Sequence, residues 1–214
     1  GNYDYYMPDL NYNNPKVRDE IKKVAAYWLE IGVDGFRLDG SKEIDKDMSV
    51  THEWWKEFSK HVLEINPQAF IVGENWLGNY GELAAFYSDM TSSFNFPLNY
   101  SVESVLKGSE AEIVDAQNIA FKCFLDAAAL EGSVVDVVVD STMIGNHDLT
   151  RIASRAQSME KAKLAAALQF TLSGTPFIYY GDELGQTSGS GDFSKRESFD
   201  WYKSGKGEGM TDNK

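Results

Sequence analysis

Cysteine is all but missing: Cys123 stands alone among 214 residues, which excludes an intrachain disulfide and a cysteine-built metal cluster. Basic charge is also scarce, with 20 Lys and Arg against 33 Asp and Glu and a net charge of -13. Such a field repels phosphate backbones and anionic bilayers, arguing against nucleic acid as a partner. No apolar run approaches the ~18 residues of a membrane span. The opening GNYDYYMPDL lacks both the basic flank and the apolar stretch of a secretion signal. It also lacks an initiator Met, so the chain is expected to be a piece of a longer protein. Aromatics, by contrast, are plentiful, with 12 Phe, 11 Tyr and 5 Trp, enough for a large core or for a surface that stacks on sugars or bases. Size and composition suit one globular domain.

Hydrophobic spacing organises the chain. Val17, Ile21, Val24, Ala25, Trp28 and Leu29 recur at threes and fours, the period of one buried helix face. Asn14 supplies a cap, Pro15 fits the first helical position and Gly32 marks the stop. Trp54, Trp55, Phe58, Val62 and Leu63 form a second helical pattern ending at Asn66-Pro67. A third helix is expected from about 110 to 129 on Ile113, Ile119, Ala120 and Phe124, and MEKAKLAAALQFTLSG reads as a fourth. Between them lie VDGFRLDG, AFIVGEN, the polar SSFNFPL, TMIGNHD and PFIYYGDE. Strand candidates alternating with helices predict an α/β fold with parallel βαβ units. Trp28, Trp54 and Trp55 are expected in the core, and His52 and His61 in solvent. The tail from Gly185 to Lys214, rich in Gly, Ser and charge, is expected to be a loop and a partly ordered end anchored by Phe199 and Trp201.

Three strand candidates end on an acid: Asp39, Glu74 and Asp148. A lone acid there is more often a cap, and Arg37 with Asp39 alone reads equally well as a structural ion pair. Three in one chain point to chemistry. The intervals are 35 and 74 residues, one and two βα units at roughly the 31 residues per unit of a 250-residue barrel. Parallel strands would bring all three acids to the C-terminal face, where such folds place active sites. Crowded carboxylates separate into acid and anion, and glycoside hydrolysis uses such a pair. Arg37, on the same side of its strand as Asp39, can hold that carboxylate ionised. His147 can bond a sugar hydroxyl, and Trp76 can stack on a sugar ring. Asp39, Asp45 and Asp47 lack the Gly and terminal Glu of a calcium loop and read as a solvated loop.

Five blocks in order resemble the α-amylase family, glycoside hydrolase family 13: MPDLN at 7–11, GFRLDGSKE at 35–43, GEN at 73–75, IGNHD at 144–148 and GTPFIYYGDELG at 174–185. The resemblance implies a partial (β/α)8 TIM barrel holding the family's fourth to eighth strands, with the first three strands and most of domain B absent. Residues 1–12 would end domain B, 13–184 would form the C-terminal five-eighths of the barrel, and 185–214 would be a loop and tail. It implies Asp39 as nucleophile, Glu74 as general acid/base and Asp148 as transition-state stabiliser. Arg37, Asn146, His147, Lys42, Glu43 and Trp76 would contact substrate, although Glu43 stands where many family amylases carry His. Asp9 matches a calcium ligand of many members, so calcium is a candidate ion, and no organic cofactor is implied. The expected activity is retaining hydrolysis of α-1,4-glucosidic bonds in starch or maltodextrins through a glucosyl-aspartate intermediate. Alternatives are a non-catalytic α-glucan-binding subdomain, or a related α-glucosidase, cyclomaltodextrinase or glucan transferase. Open barrel edges would favour self-association. The compartment stays open, an extracellular or cell-surface address being the one the resemblance favours.

Overall fold

The computed structural model describes residues 6–109, 111–130, 132–135 and 138–199. The chain forms two compact units, Gly1–Pro97 with Asn118–Ser141 and Leu98–Gln117 with Thr142–Lys214.

The first unit opens with helix α1 (Pro15–Ile31), where the Asn14 side chain accepts the Lys16 N–H and Gly32 closes the end at φ 107°. The left-handed conformation there suits glycine. Its buried face is narrower than the spacing predicts. Ala25 and Leu29 are buried, while Val24 and Trp28 stay 47% and 46% exposed, which corrects the expected core position of Trp28. Strand β1 (Gly35–Leu38) and helix α2 (Met48–Ile65) follow. Asp47 accepts the Ser49 N–H and so caps α2. It thereby takes part in a helix start and is not merely solvated. Helix α2 buries Thr51, Trp54, Trp55, Phe58, Ser59 and Val62, a single face at helical period. Charge joins α1 to α2: Arg18 meets Glu53 at 3.0 Å and Glu57 at 2.8 Å, and Lys22 meets Glu57 at 2.7 Å.

Strand β2 (Phe70–Gly73) lies parallel to β1, with Gly35 opposite Phe70 and Leu38 opposite Gly73. A Cβ at Gly35 would come within 1.9 Å of the Phe70 carbonyl oxygen, so this register requires glycine. After helix α3 (Tyr80–Ala85), strand β3 (Ser92–Ser93) adds parallel to β2, and Phe94 bridges to Ser141. The interior here is lined by small polar groups. Ser93 Oγ donates to the Gly73 carbonyl at 3.1 Å, Asn75 Nδ2 to Ser93 Oγ at 3.1 Å, and the Ser92 and Ser141 hydroxyls meet at 2.6 Å. Helices α4 (Phe96–Leu106) and α5 (Ala111–Ala128) come next. On α5, Ile113, Ala116, Ala120, Phe124 and Ala127 are buried, whereas Ile119, expected inside, is 53% exposed.

In the second unit, strand β4 (Ser141–Met143) leads through α6 (Ile152–Ala156) and α7 (Met159–Thr171) to β5 (Thr175–Phe177), which pairs with β4. The core holds Leu98, Val102, Leu106, Ile144, Ile152 and Ala165. Gln169 Nε2 ties the two strands by donating to the Thr142 and Phe177 carbonyls at 3.3 and 2.7 Å. The short helix α8 (Asp192–Lys195) stands in the segment expected to be loop and tail. Trp201, its second expected anchor, lies outside the described residues. None of the described helices is long and apolar enough to cross a membrane.

Candidate active site

Both sequence-predicted acids of the first unit sit at the ends of adjacent parallel strands, and one guanidinium serves them together. Arg37 pairs with Asp39 through Nη1 and with Glu74 Oε1 through Nη2 at 2.9 Å. Such a planar fork fixes two carboxylates at once. Their surroundings differ sharply: the Asp39 side chain is 80% exposed and that of Glu74 only 10%. Glu74 Oε2 also accepts the Gly40 N–H at 3.0 Å. The loops carrying the acids are joined as well. Ser41 N–H donates to the Glu74 carbonyl at 3.1 Å, Ser41 Oγ to Asn75 Oδ1 at 2.9 Å, and Trp55 Nε1 to the Ser41 carbonyl at 2.6 Å. Gly73 is what lets Ser41 and Asn75 come so near, since a Cβ there would meet Met90 Sδ at 2.5 Å, Ser41 Oγ at 2.7 Å and Asn75 Nδ2 at 2.8 Å.

Around this pair the further expected contacts sort by environment. Lys42 and Glu43 pair with one another and line, with His52, Leu77, Glu82 and Phe86, a cavity of about 650 Å³. His52, expected in solvent, instead turns Nδ1 onto the fully buried Asp89 carboxylate at 2.5 Å. Trp76 is 40% exposed and stacks on Phe96 with centroids 4.8 Å apart and planes 18° from parallel. Asp9 is exposed, and the described residues contain no group of three or more His, Cys, Asp or Glu placed to hold a metal. Since calcium takes six to eight oxygens, these residues do not by themselves make up its site.

In the second unit Asn146, His147 and Asp148 form one turn after β4. Asn146 Oδ1 accepts the N–H groups of Asp148 and Leu149, each at 2.9 Å, so its oxygen shapes the turn. Asp148 Oδ2 meets His147 Nε2 at 3.1 Å, and Asp148 Oδ1 accepts from Arg196 Nη2 at 2.6 Å. The carboxylate in turn raises the Arg196 pKa, holding the guanidinium more firmly charged. Sequence reasoning missed Arg196. Its only signal was a basic pair, Lys195-Arg196, in a segment otherwise poor in structure. It also missed the second arm of Arg37. Alternation on β1 puts Arg37 and Asp39 on one side, but the pairing with Glu74 depends on the register of β2.

The match to known proteins follows these features. The family model described as alpha amylase, catalytic domain, covers residues 3–212. Alpha-amylase 3 of Dictyoglomus thermophilum is 40% identical over 197 residues, 91% of this chain and 38% of its own length. A cyclomaltodextrinase of a Bacillus species is 34% identical over 91% of this chain and 33% of its own length. Among solved structures, the α-amylase from H. orenii superposes with a TM-score of 0.85 at 34% identity, covering 100% of this chain and 43% of that one. The chain thus belongs to the α-amylase family, glycoside hydrolase family 13, and its elements are those of a partial (β/α)8 barrel. It spans about a third of the length of the curated relatives it matches, 38% and 33% of these two.

Proposed function

We propose that the protein to which this chain belongs is a retaining glycoside hydrolase acting on α-1,4-linked glucans, with Asp39 as nucleophile, Glu74 as general acid/base and Asp148 as transition-state stabiliser. The observation that supports this most is the Arg37 fork, which holds the exposed Asp39 and the buried Glu74 on one guanidinium. Retention needs two acids close together in unlike roles. In the first step Glu74 gives its proton to the glycosidic oxygen, that bond to the anomeric carbon breaks, and an Asp39 oxygen bonds to the same carbon. In the second, Glu74 takes a proton from water, whose oxygen displaces Asp39 and restores both acids. Asp148 would accept hydroxyl hydrogen bonds from the sugar as positive charge grows on its ring. Residues 1–12 would close domain B, 13–184 supply five-eighths of the barrel and 185–214 follow the last strand. Lys42 and Glu43 would meet the leaving-group sugars, and Trp76 would contact substrate. Calcium, if bound, would draw on ligands beyond Asp9.

A second reading has one observation in its favour. The chain spans only 38% of a relative named as an amylase, so this portion alone would bind α-glucan without turning it over, since lost positioning groups cost rate steeply. Hydrolysis of maltoheptaose by the 214-residue chain and by the whole protein, each beside its Asp39→Asn form, separates the two. Turnover by the whole protein that vanishes in Asp39→Asn is expected. No turnover by the whole protein across pH and added calcium would end the hydrolase reading.

A further inference from the structure

Arg196 reaches the Asp148 turn from 48 residues away. Its Nη2 donates to Asp148 Oδ1 at 2.6 Å and its Nε to the His147 carbonyl at 3.2 Å. One guanidinium therefore grips both the carboxylate and the backbone that carries it. With Oδ2 against His147 Nε2, neither carboxylate oxygen is left to rotate.

What aims Arg196 is equally specific. The four-residue helix α8 ends at Lys195 and is too short to fix a direction alone. The two carbonyls flanking Arg196 are instead each held by a tyrosine at the end of β5: Tyr179 Oη donates to the Lys195 carbonyl at 3.0 Å and Tyr180 Oη to the Glu197 carbonyl at 2.9 Å. Both rings lie against the guanidinium of the fully buried Arg151, 4.6 and 5.0 Å from their centroids. Arg151 in turn donates through Nη1 to the Tyr180 carbonyl at 2.6 Å and through its backbone N–H to Ser188 Oγ at 2.9 Å. A buried cation thus sets the tyrosines, and the tyrosines set the strap.

We propose that Arg196 is the positioning residue for Asp148, aimed by a strap, residues 192–197, that Tyr179 and Tyr180 fasten on either side of it. The inference rests on the reading of Asp148 as the acid that stabilises charge on the sugar. An exposed ion pair contributes little to folding stability, and with Arg196 and Asp148 side chains 48% and 32% exposed this one acts on geometry instead. A carboxylate that must accept from sugar hydroxyls works only in one orientation, and Arg196 supplies it.

In the whole protein, Arg196→Met should lower kcat on maltoheptaose about 10- to 100-fold with KM changed less than about threefold, and Arg196→Lys should recover part of the loss. The melting temperature should not move. Arg196→Met added to Asp148→Asn should cost nothing further, because both remove one interaction. An unchanged kcat in Arg196→Met, or losses that multiply in the double variant, would overturn the proposal. Trypsin gives a readout independent of turnover. Cleavage after Arg196 should accelerate in Asp148→Asn, which frees the guanidinium, and cleavage after Lys195 and Arg196 should accelerate in the Tyr179→Phe, Tyr180→Phe variant. If the wild-type protein turns over no α-glucan, the hydrolase reading fails, and unchanged trypsin rates in those variants would still sink the strap on their own.

Discussion

Asp140 shows how one buried group makes stability depend on pH. Its Oδ1 meets Tyr87 Oη at 2.7 Å and its Oδ2 accepts from Asn95 Nδ2 at 2.8 Å. Tyr87 Oη, the donor to Asp140, also lies 3.1 Å from the Ser93 carbonyl. Burial pushes the Asp140 carboxyl up to about 6, against the opposing pull of Asn95 and Tyr87. The folded state therefore holds this proton more tightly than the unfolded chain, whose carboxyl titrates near 3.8. The contribution to stability is complete below about pH 4 and is lost as pH rises through 6, by about 1–3 kcal/mol in all. Asp182, pushed up to about 6 by burial although Arg151 opposes it, adds to the same trend. Urea unfolding at pH 4.5 and 7.5 should show the decline, and Asp140→Asn should remove part of it. A decline of equal size in the variant would show that the slope arises elsewhere.

Helix α1 carries its own boundaries, and its cap has a measurable share. Asn14 Oδ1 accepts the Lys16 N–H at 3.0 Å, so Asn14→Ala should lower the unfolding free energy by about 1 kcal/mol in urea titration. No change would mean that water serves the helix end as well. Caps of this kind are local, which is why α1 was legible from Asn14, Pro15 and Gly32. Faces were harder to read. On α5 large apolar residues occur all round, and periodicity favoured Ile119 where the fold buries Ala116 and Ala127. Helix α4 was hidden by Pro97, which looks like a breaker but sits in the first turn, where a missing N–H costs nothing. Asp39, Glu74 and Asp148 stood out in the sequence because each ends an apolar strand candidate, although Asp148 lies in the turn five residues beyond β4. Arg196 did not, because its partner is set by the tertiary path of a segment without period.

Across the molecule, a net charge of -13 coexists with large apolar side chains in solvent. Tyr27, Trp28 and Ile31 on α1 are 46–58% exposed, and Val114, Phe121 and Leu125 on α5 are 43–64% exposed. Exposed apolar side chains of this kind favour association, and repulsion between acidic copies opposes it until salt screens the charge. Sedimentation of the 214-residue chain should show association that grows with concentration and ionic strength, together with binding of an apolar dye. A monomer at all salts with no dye binding would count against it. The hydroxyl-lined interior has another consequence. Ser41, Ser59, Ser92, Ser93, Ser141 and Thr142 are all essentially inaccessible, so unfolding wets polar as well as apolar surface. Polar exposure lowers the heat capacity of the unfolded chain, by about 0.26 cal/K/mol per Å², where apolar exposure raises it. The free energy of this fold is therefore a flatter function of temperature than an aliphatic core of the same size would give, losing less on cooling and bending less on heating.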